Sequence, residues 1–187
     1  MIDIDDLYIV HYCHPNYKPF MNICRLPKEA AFSLAYEMAS NNPDTTAFGR
    51  FADFINYYPR RMKTDEYLYN LFITLGGKPK EKHPLSFVLQ GSDFLHNWFG
   101  YGFVSKIKLE GIPSEFISFT LGDSMAVFKK NGERTIERYG ELTMYTKEML
   151  SNIMREYDGS IDDFMQEIAE KHNYIEVQLW NDDYCTI

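Results

Sequence analysis

The hydrophobic periodicity of the chain changes twice along its length, and this change constrains the fold most strongly. Apolar residues recur at helical spacing between residues 27 and 75, whereas from 85 to 121 the segments are short and strand-like. Helical spacing returns at 146–172, before an alternating strand over 174–180. Because helices lie early and late around a block of strands, we expect one α+β domain over residues 1–187. Its sheet should be mixed or mostly antiparallel, with about six strands flanked by about six helices.

Local signals set the expected element boundaries. Thr45 or Thr46 is predicted to cap a helix that Pro59 ends, and a further helix is predicted to open at Thr64. Asn131-Gly132, between two apolar pairs, predicts a tight hairpin. These signals divide the helical part of the chain into separate short helices.

Charge, cysteine spacing and hydropathy exclude several classes of protein and partner. The 27 acidic and 19 basic residues give a net charge of −8, which repels nucleic acid and anionic lipid. The three cysteines are too few and too widely spaced for a disulfide framework. No apolar run approaches the roughly 18 residues that span a bilayer. We therefore expect a soluble, cytoplasmic protein that binds neither nucleic acid nor membrane.

Two of the five histidines and two of the three cysteines lie between His11 and Arg25. On a strand, His11 and Cys13 point to one face, whereas His14 points to the other, so the group does not form one constellation. The spacing also lacks the paired Cys-x-x-Cys pattern of structural zinc sites. The sequence therefore assigns no metal ligand here, and His11 remains the residue of interest.

A second set of polar residues is spread over the chain. It comprises His11, the Tyr57–Arg61 segment, Ser118-Phe-Thr120 and Glu176-Val-Gln178. In order and residue type this set resembles the layout of ADP-ribosyltransferases. The resemblance implies that an early His or Arg holds a nicotinamide dinucleotide and that a late carboxylate orients the nucleophile. The chain departs from that pattern in lacking a full Ser-Thr-Ser run and in having Gln178 where a second Glu often stands.

Polar residues at predicted strand ends supply the candidate site. The Gly122-Asp-Ser-Met125 turn follows a predicted strand and places two polar side chains at its end. We predict that three residues carry acid–base or orienting chemistry: His11, Asp123 and Glu176. Five more are predicted to bind the ligand: Tyr17, Tyr58, Arg60, Arg61 and Ser124.

The aromatic content suggests what such a site would bind. With 14 Tyr and 14 Phe, the chain has enough rings to line a cleft for a small anionic or nucleotide-like molecule. A protein–protein interaction module, including a homo-oligomer, is the alternative, with Tyr57, Tyr58 and Trp180 expected at the surface. An ADP-ribosyltransferase-like enzyme is the third hypothesis. The sequence identifies no cofactor and leaves open whether the protein is an enzyme.

Overall fold

A six-stranded antiparallel sheet forms the centre of the molecule. The computed structural model describes residues 2–128 and 143–185, so the predicted hairpin at Asn131-Gly132 lies outside the described residues. The sheet order is β3-β1-β2-β6-β4-β5, and each neighbouring pair is antiparallel. The strands are β1 Tyr8–Cys13, β2 Leu85–Leu89, β3 Phe103–Lys108, β4 Ile117–Leu121, β5 Met144–Thr146 and β6 Ile175–Leu179.

Five α-helices accompany the sheet in the described ranges. They are α1 Lys28–Asn41, α2 Phe54–Thr74, α3 Asp93–Trp98, α4 Lys147–Glu156 and α5 Ile161–His172. Side-chain caps start three of them: Ser92 for α3, Thr146 for α4, and a Ser160–Asp163 capping box for α5. The predicted α+β class is confirmed.

The two faces of the sheet have different chemistry. On one face, the alternating residues Ile175 and Val177 of β6 join the largest apolar core, together with Leu150 and Phe164 of the last two helices. On the other face, Trp180 stacks on Phe72 of α2, with ring centroids 5.5 Å apart. This second face carries Glu176, which alternates with Ile175 and Val177 along β6.

Helix α2 corrects one prediction. It runs without a break through Pro59, and a short 3-10 helix over Thr46–Phe51 precedes it. The missing N–H of Pro59 removes only one helical hydrogen bond. Packing beyond it holds the helix together, because Leu68 and Phe72 are fully buried and Asp65 forms an i,i+4 ion pair inside it.

Trp180 corrects another prediction, because it is completely buried instead of lying at the surface. Its indole Nε1–H donates to Ser118 Oγ over 2.8 Å, which satisfies the one polar group of the ring inside the protein. No helix in the described part of the chain is both long and apolar enough to cross a membrane.

The sheet opens between β1 and β2. These strands pair only at Ile9–Leu89 and Val10–Val88, after which β1 continues beside β3 up to Cys13. The chain after β1 then wraps across the opening, where Asn22 Nδ2 donates to the carbonyl of Pro84 over 2.7 Å. This divergence places a concave surface beside the polar face of the sheet.

Candidate functional site

A cavity of about 540 Å³ lies at this opening. Its walls come from the end of β1 and the loop after it, the 3-10 helix, the first turns of α2, β2, α3 and the start of β6. Aromatic rings line much of it: Tyr17, Phe48, Phe51, Tyr57, Phe94, Trp98, Phe99 and Tyr174. A volume of this size and lining suits a small organic molecule.

The cavity brings together most of the residues that the sequence singles out. The ones that line it are His11, Tyr17, Arg60, Arg61, Asp123 and Glu176. Tyr58 instead packs in an aromatic cluster against Phe32 and Phe54. Ser124 is buried behind the wall, where its backbone N–H donates to Glu176 Oε2 over 2.7 Å. Tyr58 and Ser124 therefore support the cavity without lining it.

His11 has both ring nitrogens engaged by the backbone. The Phe20 N–H donates to Nε2 over 3.1 Å, so the proton of a neutral ring resides on Nδ1, which donates to the Ser86 carbonyl over 3.0 Å. Burial lowers the pKa of His11, with the Ser86 hydrogen bond opposing that effect. The geometry fixes one neutral tautomer and leaves no ring nitrogen free to accept a proton from a ligand.

Glu176 is the buried carboxyl on the cavity wall. Besides the bond from Ser124, its Oε1 accepts from Ser86 Oγ over 3.3 Å. Burial raises the pKa of Glu176, and the charge of Asp123 raises it further, whereas Arg61 opposes both. The pKa of the nearby Tyr174 hydroxyl is raised by burial and then by the same two carboxylates. Burial and the neighbouring carboxyl groups thus shift both groups toward their protonated forms.

Two arginines on the wall have no carboxylate partner among the described residues. In the part of the chain that the structure describes, no ion pair involves Arg50 or Arg60, and each has a buried Nε without a hydrogen-bond partner. The Arg50 guanidinium lies over the rings of Phe51 and Tyr57, 5.0 and 5.6 Å from their centroids. Lys18, which is exposed, adds a third cation to the lining.

Arg61 differs from these two because its charge is already paired. It is only 8% exposed, and its Nε lies 2.8 Å from Asp65 Oδ1. Sequence reasoning singled out Arg60 and Arg61 but missed Arg50. No local pattern marks Arg50, because its position on the wall follows from the 3-10 helix that packs between α1 and α2.

The serine and glutamine of the ADP-ribosyltransferase-like pattern lie in the interior. Ser118 Oγ donates to Gln178 Oε1 over 2.9 Å, and Gln178 Nε2 donates to Thr120 Oγ1 over 3.0 Å. All three residues are fully buried and none lines the cavity. They satisfy one another across β4 and β6, so Glu176 is the member of that late motif that reaches the cavity.

The two cysteines of the His11–Arg25 segment lie apart in the structure. Cys13 lines the cavity, and its Sγ donates to the Tyr17 carbonyl over 3.2 Å. Burial raises the pKa of its thiol, which lowers its reactivity. Cys24 lies elsewhere, close to Asp65 and His83. The side chain of His83 is only 17% exposed, and its Nδ1 lies 2.8 Å from Asp65 Oδ2.

Fold and site together define an α+β protein with an aromatic, arginine-bearing cavity at a split in its sheet. Comparison of the chain with protein-family models, with curated proteins and with solved structures gives no match. The chemistry of the cavity must therefore be argued from its own residues.

Proposed function

We propose that the protein binds a small molecule that combines an anionic group with a planar ring, as a nucleotide does. The observation that carries this proposal is the pair of buried Nε groups of Arg50 and Arg60 on an aromatic-lined wall. A buried donor without a partner costs about 1–3 kcal/mol, and an anion accepting from it removes that cost. Guanidinium groups are well suited to phosphate and carboxylate oxygens.

The charge distribution supports an anion at this position. The protein as a whole carries −8, so an exposed anion would be repelled by most of the surface. Inside the cavity, Arg50, Arg60 and Lys18 supply local positive charge. Of the two carboxyl groups there, Glu176 has a raised pKa, which reduces its repulsion of an anion. Asp123 is exposed and can accept hydrogen bonds from ligand hydroxyl or amino groups.

Calorimetric titration with three probes tests the proposal: ADP, adenosine and inorganic phosphate. We expect ADP to bind more tightly than adenosine, because adenosine has the ring without the anion. Arg60→Gln should weaken ADP binding about tenfold or more, since a hydrogen bond to a charged group is worth about 1.5–3 kcal/mol. Arg155→Gln is the matched control, because it removes the same charge from an exposed site on α4.

Two results would reject this proposal. One is that neither ADP nor phosphate binds the wild-type protein. The other is that Arg155→Gln and Arg60→Gln weaken ADP binding equally, which would make the effect one of net charge. Circular dichroism of each variant shows whether the fold is retained.

An ADP-ribosyltransferase-like activity is the second candidate, favoured by the presence of both Glu176 and Arg60 in the cavity lining. If NAD⁺ is the ligand, the protein should release nicotinamide from it, and Glu176→Gln should abolish release while retaining NAD⁺ binding. Binding of NAD⁺ without release of nicotinamide would reject the ADP-ribosyltransferase-like activity and leave a binding function.

A protein-interaction role is the third candidate, and a different surface favours it. Tyr101, Phe103 and Val104 are 68, 56 and 42% exposed on or near edge strand β3. Under this hypothesis Phe103→Ser would change association in sedimentation experiments, whereas Arg60→Gln would leave it unchanged. The opposite result would favour the cavity.

A further inference from the structure

Three potential metal ligands from distant parts of the chain meet in the interior. Cys24 lies in a 3-10 turn, Asp65 in α2, and His83 in the segment before β2. Their Sγ, carboxylate oxygen and ring nitrogen all lie within 4.8 Å of one another. Cys24 and Asp65 are 5% and 0% exposed, so the group is sheltered from solvent.

The donor types narrow the choice of ion. Calcium and magnesium prefer sets of oxygen ligands, whereas thiolate and imidazole favour zinc and its transition-metal neighbours. From this juxtaposition we propose that Cys24, Asp65 and His83 bind a divalent transition-metal ion of the zinc class. His83 Nδ1 and Asp65 Oδ2 share a hydrogen bond over 2.8 Å, which an ion bound to both atoms would replace.

The surrounding contacts hold the three residues near one another. Arg61 Nε forms an ion pair with Asp65 Oδ1 over 2.8 Å, and Asp65 Oδ2 is hydrogen-bonded to His83 Nδ1 over 2.8 Å. Arg25 Nε donates to the His83 backbone carbonyl over 2.7 Å, and the Cys24 backbone N–H donates to Asn22 Oδ1 over 2.9 Å. The contacts to the carboxylate orient Asp65, and the other two position the backbone of His83 and of Cys24.

The ligand charges suit a divalent ion. A thiolate and a carboxylate supply two negative charges and His83 binds as a neutral imidazole, while Arg61 beside Asp65 adds one positive charge to the surroundings. Burial, followed by the charge of Asp65, raises the pKa of Cys24 to about 12, with Arg61 opposing. The thiol therefore carries its proton until a metal ion displaces it. The three protein ligands leave a fourth tetrahedral position for water or another small ligand.

This proposal is independent of the proposed function, because none of the three ligands lines the cavity. Arg61 is the connection between the two, since it lines the cavity and pairs with Asp65. A failure of ADP to bind would leave the metal site unaffected. A failure of metal to bind would equally leave the cavity proposal unaffected.

Titration of the metal-free full chain with Co²⁺ tests the site. We expect a sulfur-to-cobalt charge-transfer band in the near ultraviolet and tetrahedral bands in the visible, both displaced by Zn²⁺. Cys24→Ser should abolish the charge-transfer band, whereas Cys13→Ser, a change at another buried cysteine, should retain it.

His83→Gln provides a second variant that keeps the thiolate. It should retain the charge-transfer band but weaken Co²⁺ binding at least about tenfold. If Cys24→Ser fails to fold, His83→Gln alone decides the matter. The proposal is overturned if the wild type gives no charge-transfer band, if Cys24→Ser retains the band, or if His83→Gln binds Co²⁺ as tightly as the wild type.

Discussion

The side chain of His11 replaces strand pairing where β1 and β2 separate. If the pairing of β1 with β2 continued past Val10–Val88, backbone groups of the two strands would bond to each other. The strands diverge there instead. The imidazole fills the gap, donating to the Ser86 carbonyl and accepting from the Phe20 N–H. Phe20 has a left-handed backbone with φ of 59°, so this bond also holds a strained turn. A neutral ring is required for both bonds.

We expect His11 to make the protein less stable in mild acid. Its folded-state pKa lies below the ordinary value of 6.5, so below that pH the unfolded chain binds more protons. The free energy of unfolding therefore falls as pH drops from about 6.5 toward the folded-state pKa. Urea unfolding between about pH 5 and 7 should give a flatter pH dependence for His11→Gln than for the wild type.

His172→Gln, at the end of α5, is the matched control and should retain the wild-type slope. His14, whose pKa is also lowered by burial, contributes equally in all three proteins. Glu176 contributes with the opposite sign, because a raised carboxyl pKa favours the folded state as pH falls. Identical slopes for the wild type and His11→Gln would contradict the prediction.

Residue positions at strand ends could be predicted from the sequence, but their partners could not. Alternation and turn signals place His11 and Glu176 on strands and Asp123 in the turn after one, and all three line the cavity in the structure. The proximity of Cys24 to Asp65 and His83 has no local signal, because it depends on how α2 packs against the loop before β2. Spacing rules detect only ligands that are neighbours in the chain.

At the scale of elements, hydrophobic periodicity predicts the strands and helices wherever tertiary packing does not override the local signal. The strands near residues 8, 85, 103, 117 and 175 follow from short apolar or alternating runs, and all five occur. Strand β5 is only three residues long, too short for a period to appear. Helix α2 fails the local rule at Pro59, because its buried face continues on both sides of that residue.

Pro59 should therefore lower the free energy of unfolding, and replacing it with alanine should raise it. It occupies an exposed position inside α2, where a proline leaves the Ile55 carbonyl without its helical donor. We expect Pro59→Ala to raise the free energy of unfolding by about 1–3 kcal/mol, measured by urea denaturation. Pro27→Ala, at the N-cap of α1, should bring no such gain. Lower stability of Pro59→Ala than of the wild type would contradict this prediction.

At the scale of the whole molecule, α3 is the least anchored wall of the cavity. None of its residues is fully buried, although Phe94, Leu95 and Trp98 line the cavity. Left-handed residues flank it on both sides, Gln90 and Gly91 before it and Gly100 and Tyr101 after it. Its main tether is Tyr12, whose hydroxyl accepts from the Ser92 N–H over 2.8 Å and whose ring stacks on His96. This arrangement suits a segment that opens and closes over the cavity.

Hydrogen exchange should reveal that motion. Because α3 has few buried contacts, we expect the amides of residues 93–99 to exchange much faster than those of β6, whose five residues are all buried. A bound anion such as ADP or phosphate should slow exchange in α3, since closure adds contacts between its rings and the ligand. Helix α5 serves as the internal control, because none of its own residues lines the cavity. Asn173 and Tyr174, which do line it, come after the helix ends. Protection of α3 equal to that of β6 without ligand would show that the wall is fixed, and entry to the cavity would then require a different path.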